Sequence, residues 1–309
     1  MKSNTNAPRD LRGASFWTRL RAGSLRDTEF GALLLAPAAL LLLGIFLVPM
    51  LNVLWLTLRV QDTADPRVVT YSLENFSRLL RDESFTGALW RTVWFGVLTV
   101  AGSFLVGLPL ALLANVKTGW RWVVRVALLL PWAMPQVITG AMFAWLFNSQ
   151  YGLFNDLLVR LGFQPVYWFL NPNMAVLAFV ITTIWKTSSF VALILLGGLQ
   201  SIPAELEEAA RVDGASSAQV FWRVTLPLLM PAIAVALIFR TLSALQVFDI
   251  PYAFMSSGAS RVLETLGVYI QKYTVEFLDP GYGSTVSLSL FVLALLITAV
   301  YVRFVRVER

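Results

Sequence analysis

The chain has 309 residues, of which 57% are hydrophobic and only 14% charged, with a mean hydropathy of +0.69 and a net charge of +6. Soluble domains carry about 25% charged residues, so this composition indicates an integral membrane protein. The sequence has no cysteine and no histidine, which excludes disulfides, thiolate or imidazole metal sites and a Ser-His-Asp triad. It also has no Gly-Lys pair, so a Walker-type phosphate-binding loop is absent from the sequence.

Hydrophobic runs divide the chain into four parts. Residues 1–30 are polar and basic, which indicates a cytoplasmic tail. The charge-free run at 31–58 exceeds the roughly 20 residues needed to cross a bilayer, and it is too long for a signal-peptide core, so we expect a first transmembrane helix. Residues 59–88 are a charged connection, predicted to be extracytoplasmic. Residues 89–305 are predicted to form a core of five further transmembrane helices.

The predicted fold is therefore an all-α integral membrane protein with six transmembrane helices. Prolines occur inside the second and third of them, at Pro109, Pro131 and Pro135. Because neighbouring helices or water can satisfy the carbonyls that a proline frees, we expect a kinked helical bundle. The predicted spans after the first are about 92–116, 126–147, 174–198, 228–248 and 284–302.

The distribution of basic residues predicts the orientation of the chain. Six spans bring both termini to the same side of the membrane. The tails and loops on that side contain 14 Lys and Arg residues, and the opposite connections contain eight. Since cytoplasmic loops carry an excess of Lys and Arg, both termini and the polar loop at 201–227 are predicted to be cytoplasmic.

Two basic residues, Lys186 and Arg240, lie near the middle of predicted spans. A charge at mid-bilayer costs at least ~2.5–3.5 kcal/mol, so such a residue normally faces a bundle interior or an aqueous path. No acidic residue of this chain is predicted at the same depth, and pairing with a second subunit or an anionic substrate would resolve that. Snorkelling at tilted helices is the alternative. The candidate residues of this pathway or subunit contact are Lys186, Ser189, Arg240, Ser243, Gln246 and Asp249.

The polar loop at 201–227 has the pattern of a helix, a glycine turn and a second helix. Ser201 is a candidate N-cap and Pro203 suits a first helical turn. Gly214 stands where a left-handed helix end is expected, and Ser216 with Gln219 forms a capping box that starts a second helix. Two short amphipathic helices joined by a glycine suit insertion into a groove. The alternative is an interfacial loop, capped only because helix ends need their amides satisfied.

The string of residues 208–216, Glu-Ala-Ala-Arg-Val-Asp-Gly-Ala-Ser, resembles the EAA loop of the membrane subunits of binding-protein-dependent ABC importers. Its form is similar to that of the carbohydrate-uptake branch. The resemblance implies that the loop, as a coupling element, docks in a groove on an ATPase subunit. The residues that it assigns to this contact are Glu208, Ala209, Ala210, Asp213, Gly214, Ala215, Phe221, Leu226 and Pro227.

The resemblance covers about residues 73–305. The segments 244–252 and 265–284 are similar to the end of the fifth span and the last outer loop of maltose and glycerol-phosphate type permeases, in particular the first of their two unlike permeases. Members of this family usually carry a Gly-Gly-Pro turn where this chain has Ser-Gly-Ala-Ser at 257–260. The connection at 59–88 is too short for the large outer domain of the enteric maltose permease, so that protein's substrate contacts are not carried over.

The resemblance implies a transport subunit and not an enzyme. It implies a pathway for a sugar or related polyol, with glycerol phosphate or another anionic small solute as the alternative. A secondary transporter and an intramembrane enzyme stay open as less favoured classes. The implied partners are a second, similar permease, two cytoplasmic ATPase subunits that bind ATP and Mg²⁺, and an extracytoplasmic solute-binding protein, in a bacterial or archaeal inner membrane. No cofactor bound by this chain and no nucleic acid is expected.

Overall fold

The structure of the protein is a computed structural model that describes residues 27–61, 68–116 and 118–304. The basic residues of the predicted cytoplasmic tail at 2–26, and also Lys117, Arg306 and Arg309, lie outside the described residues. The chain divides into two compact units, Met1–Leu56 and Thr57–Arg309.

The described part of the first unit is helical. Helix α1 (Asp27–Leu42) continues through a π-helical turn (Leu43–Leu47) into α2 (Val48–Leu56). Within the 27 residues Phe30–Leu56, an 18-residue window has a mean hydropathy of 2.6. A helix of this length and hydropathy can cross a bilayer.

The second unit is a helical bundle with one short β-hairpin. Strands β1 (Arg59–Gln61) and β2 (Val69–Tyr71) pair antiparallel, with Arg59 opposite Tyr71. Short irregular helices at Phe221–Thr225, Arg261–Leu263 and Lys272–Glu276 join some of the longer ones. The α-helices of this unit are α3 (Glu74–Arg81), α4 (Glu83–Asn115), α5 (Arg121–Ala133), α6 (Gln136–Leu146), α7 (Leu153–Arg160), α8 (Pro172–Gln200), α9 (Ala204–Val212), α10 (Ser217–Val220), α11 (Leu226–Leu245), α12 (Asp249–Ser256), α13 (Leu266–Gln271) and α14 (Pro280–Phe304).

Within the described residues, five helical segments are long and apolar enough to cross a membrane, or six if a bent pair counts as one span. The bent pair is α5 and α6, which meet at 95°. The residue before a proline is driven away from helical dihedrals, and Met134, which precedes Pro135, is extended, with φ −68° and ψ 134°. The region predicted as one span at about 126–147 is therefore two helices. Pro109 and Pro131 lie inside α4 and α5 without breaking them.

Helices α4 and α8 form the centre of the bundle, and side-chain caps fix where both begin. Asp82 accepts hydrogen bonds from the amides of Ser84 and Phe85, and Asn171 caps α8 in the same way before Pro172. The two helices approach closely at Gly107, where a Cβ atom would lie 2.9 Å from the carbonyl oxygen of Ser188. Small residues allow such close helix packing in membranes.

The interior of the bundle has three layers along the helix axes. One layer is aromatic and contains Phe95, Phe143, Phe147, Phe179 and Phe254. Another is aliphatic and contains Ala111, Val191, Leu195, Leu199 and Leu229. Between these two layers, α4 and α8 bury several polar residues, which form the candidate site described next.

Candidate functional site

The polar layer is built from hydroxyl and cationic side chains that lie one turn apart on three helices. Its buried residues are Thr99 and Ser103 on α4, Thr183 and Lys186 on α8, and Arg240 on α11. Thr187 on α8 is half-buried. The spacing of i and i+4 brings such pairs to the same helix face, so α4 and α8 each present a polar stripe to α11.

Lys186 is 7% exposed and contacts the break between α5 and α6. Its Nζ donates to the carbonyl oxygen of Pro131 at 3.2 Å and to that of Met134. In a continuous helix the Pro131 carbonyl would accept from the amide of residue 135. That residue is Pro135, which has no N–H. The ammonium group therefore supplies the donor that the broken helix lacks.

Arg240 is 2% exposed and is held by only one described partner. Its Nε donates to the hydroxyl of Ser103 at 3.2 Å, and that hydroxyl also lies 2.8 Å from the hydroxyl of Thr187. Nη2 of Arg240 and Oγ1 of Thr183 are both buried with no hydrogen-bond partner among the described residues. Of the ion pairs found in the described part of the chain, none involves Arg240 or Lys186.

Two adjacent cavities open at these side chains. The smaller, of about 30 Å³, has room for one or two water molecules and is lined partly by Thr99 and Thr183. The larger, of about 280 Å³, is lined partly by Trp132 and Phe190. The residues that line both are Gln136, Lys186, Thr187, Ser243 and Arg240. Neither lining contains an aspartate or glutamate, so the walls carry two positive charges and no negative one.

A third cavity, of about 570 Å³, lies between α6 and α12. Its lining is aromatic with a few polar groups: Trp145, Asn148, Tyr151, Phe248, Asp249 and Tyr252. Phe248 and Tyr252 are stacked with their ring centroids 5.0 Å apart. Val137 in this lining directly follows Gln136 in the polar cavities, so α6 contributes to both.

The α9 segment, residues 204–220 from the start of α9 to the end of α10, has the geometry of a helix, a turn and a second helix. Gly214 adopts φ +85°, the left-handed conformation in which a Cβ is disfavoured. Its amide donates to the carbonyl of Arg211 and the amide of Ala215 to that of Ala210, both at 3.0 Å, which is the Schellman pattern. Ser216 and Gln219 then form both hydrogen bonds of a capping box.

The predicted start of α9 is wrong. Ser201 is the C-cap of α8, and its hydroxyl donates to the carbonyl of Gly198 at 2.8 Å. Pro203 takes the N-cap position of α9 and provides no side-chain hydrogen bond. The Ser201 hydroxyl, which was predicted to cap the start of α9, therefore caps the end of α8.

The α9 segment exposes apolar side chains and is tied to the start of α11. Val212 is 87% exposed, and Leu206 is also exposed, as is Trp222 in the π-helical turn that follows α10. Thr225, in the π-helical turn before α11, donates its hydroxyl hydrogen to the Glu207 carboxylate at 2.9 Å. Glu207 also lies 4.0 Å from Arg211. This hydrogen bond joins α9 to the π-helical turn that leads into α11.

Comparison with known proteins gives the family. The model described as "binding-protein-dependent transport system inner membrane component" matches residues 103–307, about two thirds of the chain. The chain belongs to this family of transport components. It is 45% identical over 293 residues to the sulfoquinovosyl glycerol transport system permease protein SmoG of Agrobacterium fabrum, with 94% of each chain covered.

Two further similarities support this assignment. The permease is 37% identical over 284 residues to the trehalose/maltose transport system permease protein MalF of Thermococcus litoralis, covering 92% of this chain and 96% of the relative. Its fold is similar to a chain of a bacterial alginate ABC transporter crystallised with an alginate pentasaccharide-bound periplasmic protein, with a TM-score of 0.78, 24% identity, and 93% and 97% of the two chains covered. The all-helical permease fold predicted from the sequence is confirmed.

The structure brings together only part of the predicted pathway set. Lys186, Arg240 and Ser243 line the same two cavities in the permease, whereas Asp249 lies in the wall of the neighbouring one. Ser189 faces a separate cavity of about 350 Å³ against α5. Gln246 is exposed and lines neither polar cavity.

Sequence reasoning missed four residues of the polar layer, Thr99, Ser103, Thr183 and Thr187, and it also missed Gln136 in the lining of the two polar cavities. The signal was present, because hydroxyl residues recur at i and i+4 inside apolar spans and a glutamine directly follows Pro135. Most of the predicted coupling residues are exposed. Four of them are half-buried: Ala210, Ala215, Phe221 and Leu226. Glu207, which bonds Thr225, was not among the predicted coupling residues.

Proposed function

We propose that this chain is the membrane-spanning permease subunit of an ATP-driven importer and forms part of the translocation pathway for a sugar or related polyol. Family membership supports the importer, and the substrates named for the relatives, sulfoquinovosyl glycerol and trehalose or maltose, support the solute class. Aromatic rings with a few polar groups, as in the 570 Å³ cavity, suit a ligand of this kind.

The proposed assembly contains a second, similar permease, two cytoplasmic ATPase subunits and an extracytoplasmic binding protein. ATP and Mg²⁺ bind to the ATPase subunits in this proposal. The chain supplies no covalent chemistry. Its role is to let the substrate pass between its helices and those of the partner permease. Both termini and the loop 201–227 lie in the cytoplasm, as the excess of basic residues on that side predicts.

The observation that carries the coupling role is the α9 segment itself. Its Schellman turn at Gly214 and its capping box preform the shape, so little conformational freedom is lost when it binds. The exposed Leu206 and Val212 gain from burial in an apolar groove at about 25 cal/mol per Å². Through Glu207 and Thr225, closure of the ATPase subunits would move α11, which carries Arg240 into the polar layer.

Cysteine cross-linking tests this assignment. The chain has no cysteine, so Val212→Cys introduces the sole thiol of this subunit. In membranes that contain the whole transporter, Val212→Cys is expected to cross-link to an ATPase subunit. The matched control is Leu161→Cys, equally apolar and 72% exposed, beyond the end of α7 on the predicted outer side. Cross-linking from residue 161 instead of 212 would overturn the proposal.

A further inference from the structure

The polar layer holds two cations, Lys186 and Arg240, and their hydrogen-bond donors are used to different extents. Lys186 donates to two carbonyls at the α5–α6 break, and both acceptors belong to the backbone of this chain. Arg240 uses Nε on Ser103, while its Nη2 lies buried with no acceptor in the described residues. Leaving a buried charged donor unpaired is costly, so Arg240 is the group that gains most from an incoming acceptor.

A second polar atom nearby has the same property. Oγ1 of Thr183 is buried without a partner in the described part of the chain, and Thr183 and Arg240 line the same small cavity. A hydroxyl and a guanidinium together can bind a group with several acceptor oxygens. The backbone of α8 holds Thr183 one turn before Lys186, so the cationic field of both basic residues extends over this position.

The space beside these atoms suits a sugar ring that carries such a group. The cavity of about 280 Å³ is slightly smaller than the ~300–1,000 Å³ that small-molecule pockets usually measure. Trp132 and Phe190 provide apolar faces in its wall, and aromatic faces pack well against the apolar face of a sugar ring. Because the lining has two cations and no carboxylate, it favours an anion over a neutral hydroxyl.

We infer that Arg240 and Thr183 form a subsite for an anionic substituent, a carboxylate, phosphate or sulfonate, of the sugar that passes through this permease. The inference rests on the proposed function and narrows it to acidic sugars. Arg240 binds the anion through its free Nη2, Thr183 donates a hydrogen bond to it, and Ser103 orients the guanidinium. Lys186 adds positive charge but stays on the helix break.

Direct binding to the assembled transporter in lipid nanodiscs tests the subsite. The probes share one ring: glucose, glucuronate and 6-deoxy-6-sulfoglucose. In the wild type we expect the two acidic probes to bind at least about tenfold more tightly than glucose at low salt. Arg240→Gln should abolish this preference and Arg240→Lys should restore part of it. The control Arg160→Gln, an exposed arginine on α7 that pairs with Asp156, should keep it.

Equal affinity for glucose and the acidic probes in the wild type, or an acid preference that survives Arg240→Gln, would overturn the subsite. If the Arg240→Gln variant does not accumulate, Thr183→Val provides the test, because it replaces only the hydroxyl with a methyl group. We expect this variant to reduce the preference for acidic probes several-fold. An unchanged preference would overturn the inference. Copurification of the ATPase subunits, measured in the same samples, tests the proposed function independently of the subsite. If the ATPase subunits do not copurify, the proposed function is contradicted. If they copurify but the transporter shows no preference for acidic probes, only the subsite is contradicted.

Discussion

Lys186 and Arg240 are both buried cations, but their surroundings give them different roles. The cost of a charge at mid-membrane is at least ~2.5–3.5 kcal/mol, and at Lys186 it is offset by two carbonyls that would otherwise lack a donor. Arg240 has only the Ser103 hydroxyl as a described partner. We therefore assign Lys186 to holding the broken helix in place, and we propose Arg240 as the residue that binds an anionic substituent of the substrate.

Substitutions of Lys186 show whether the α5–α6 break needs a hydrogen-bond donor or a positive charge at this position. Lys186→Met removes every donor and leaves two half-buried carbonyls unsatisfied, at up to about 1–3 kcal/mol each. We expect a clear loss of thermal stability of the purified transporter and lower accumulation in membranes. Lys186→Gln keeps an amide donor without the charge and should retain more of the stability. A Met variant as stable as the wild type would show that the contact with the break is incidental.

The sequence could identify both cations but not their partners. A lysine and an arginine inside apolar spans can be identified from the sequence alone. The contact of Lys186 with Pro131 joins residues 55 positions apart, and it depends on the break at Pro135 bending α5 against α6 by 95°. A proline in a span predicts that a carbonyl is freed. It does not say which side chain from another helix comes to that carbonyl.

At the scale of elements, a cluster of hydroxyls joins the start of α4 to α13 and α14. Asp82 accepts hydrogen bonds from Tyr269 and Tyr282 with one carboxylate oxygen and from the Ser84 and Phe85 amides with the other. Burial opposes ionisation of Asp82, but these four donors outweigh it and hold its pKa below its ordinary value of 3.8. The ionised carboxylate thus stabilises the contact of these three helices.

The lowered pKa gives this contact a defined pH dependence. A carboxylate whose pKa is lower in the folded state contributes stability above its ordinary pKa of 3.8, and that contribution is lost as the pH falls through the folded pKa. We expect Asp82→Asn to lower the Tm of the transporter at pH 7, and the difference from the wild type to shrink below about pH 4. Asp156→Asn, which alters an exposed ion pair on α7, should change little.

Thermal unfolding in detergent from pH 3 to pH 7 measures the difference. A Tm difference that stays constant across that range would contradict the role assigned to the ionised carboxylate. Tyr282→Phe offers an independent check, because it removes one donor and leaves Asp82 in place.

Local sequence signals predicted elements well where the hydrogen bonds are local. The Gly214 turn and the Ser216–Gln219 capping box are both confirmed, since each involves residues within five positions of one another. The role of Ser201 was wrong because its hydroxyl can serve the helix before it or the one after it, and the carbonyl of Gly198 lies within reach. A kink was predicted in the span at 126–147, but its size of 95° was not, because a proline signals a kink without giving its angle.

In the whole molecule, the proposed orientation places the α9 segment and the end of α7 on opposite sides of the membrane. Val212→Cys and Leu161→Cys test this directly, since each provides the chain with its sole thiol. In intact spheroplasts an impermeant maleimide is expected to label residue 161, and to label residue 212 only after the membrane is opened. Labelling of residue 212 in intact spheroplasts would reverse the proposed orientation.

The family and the helical architecture were predictable from composition and one loop, because hydropathy and the string at 208–216 are properties of the sequence itself. The site was predictable only in part. Its polar layer joins α4, α8 and α11 through contacts such as that of Arg240 with Ser103, 137 positions apart. No local pattern specifies such a pairing, which depends on how the spans pack.

We propose that the α9 segment couples this permease to ATP hydrolysis, and a substitution at Gly214 would disrupt that segment alone. A Cβ at φ +85° costs about 1–2 kcal/mol, so Gly214→Val should distort the turn while the spans still insert. In proteoliposomes with all partner subunits, we predict that ATP-dependent uptake and substrate-stimulated ATP hydrolysis both fall by at least about tenfold. Gly119→Val, at an open glycine without positive φ on the same predicted side, should leave both near the wild-type rate. Wild-type uptake and hydrolysis in Gly214→Val would contradict the account.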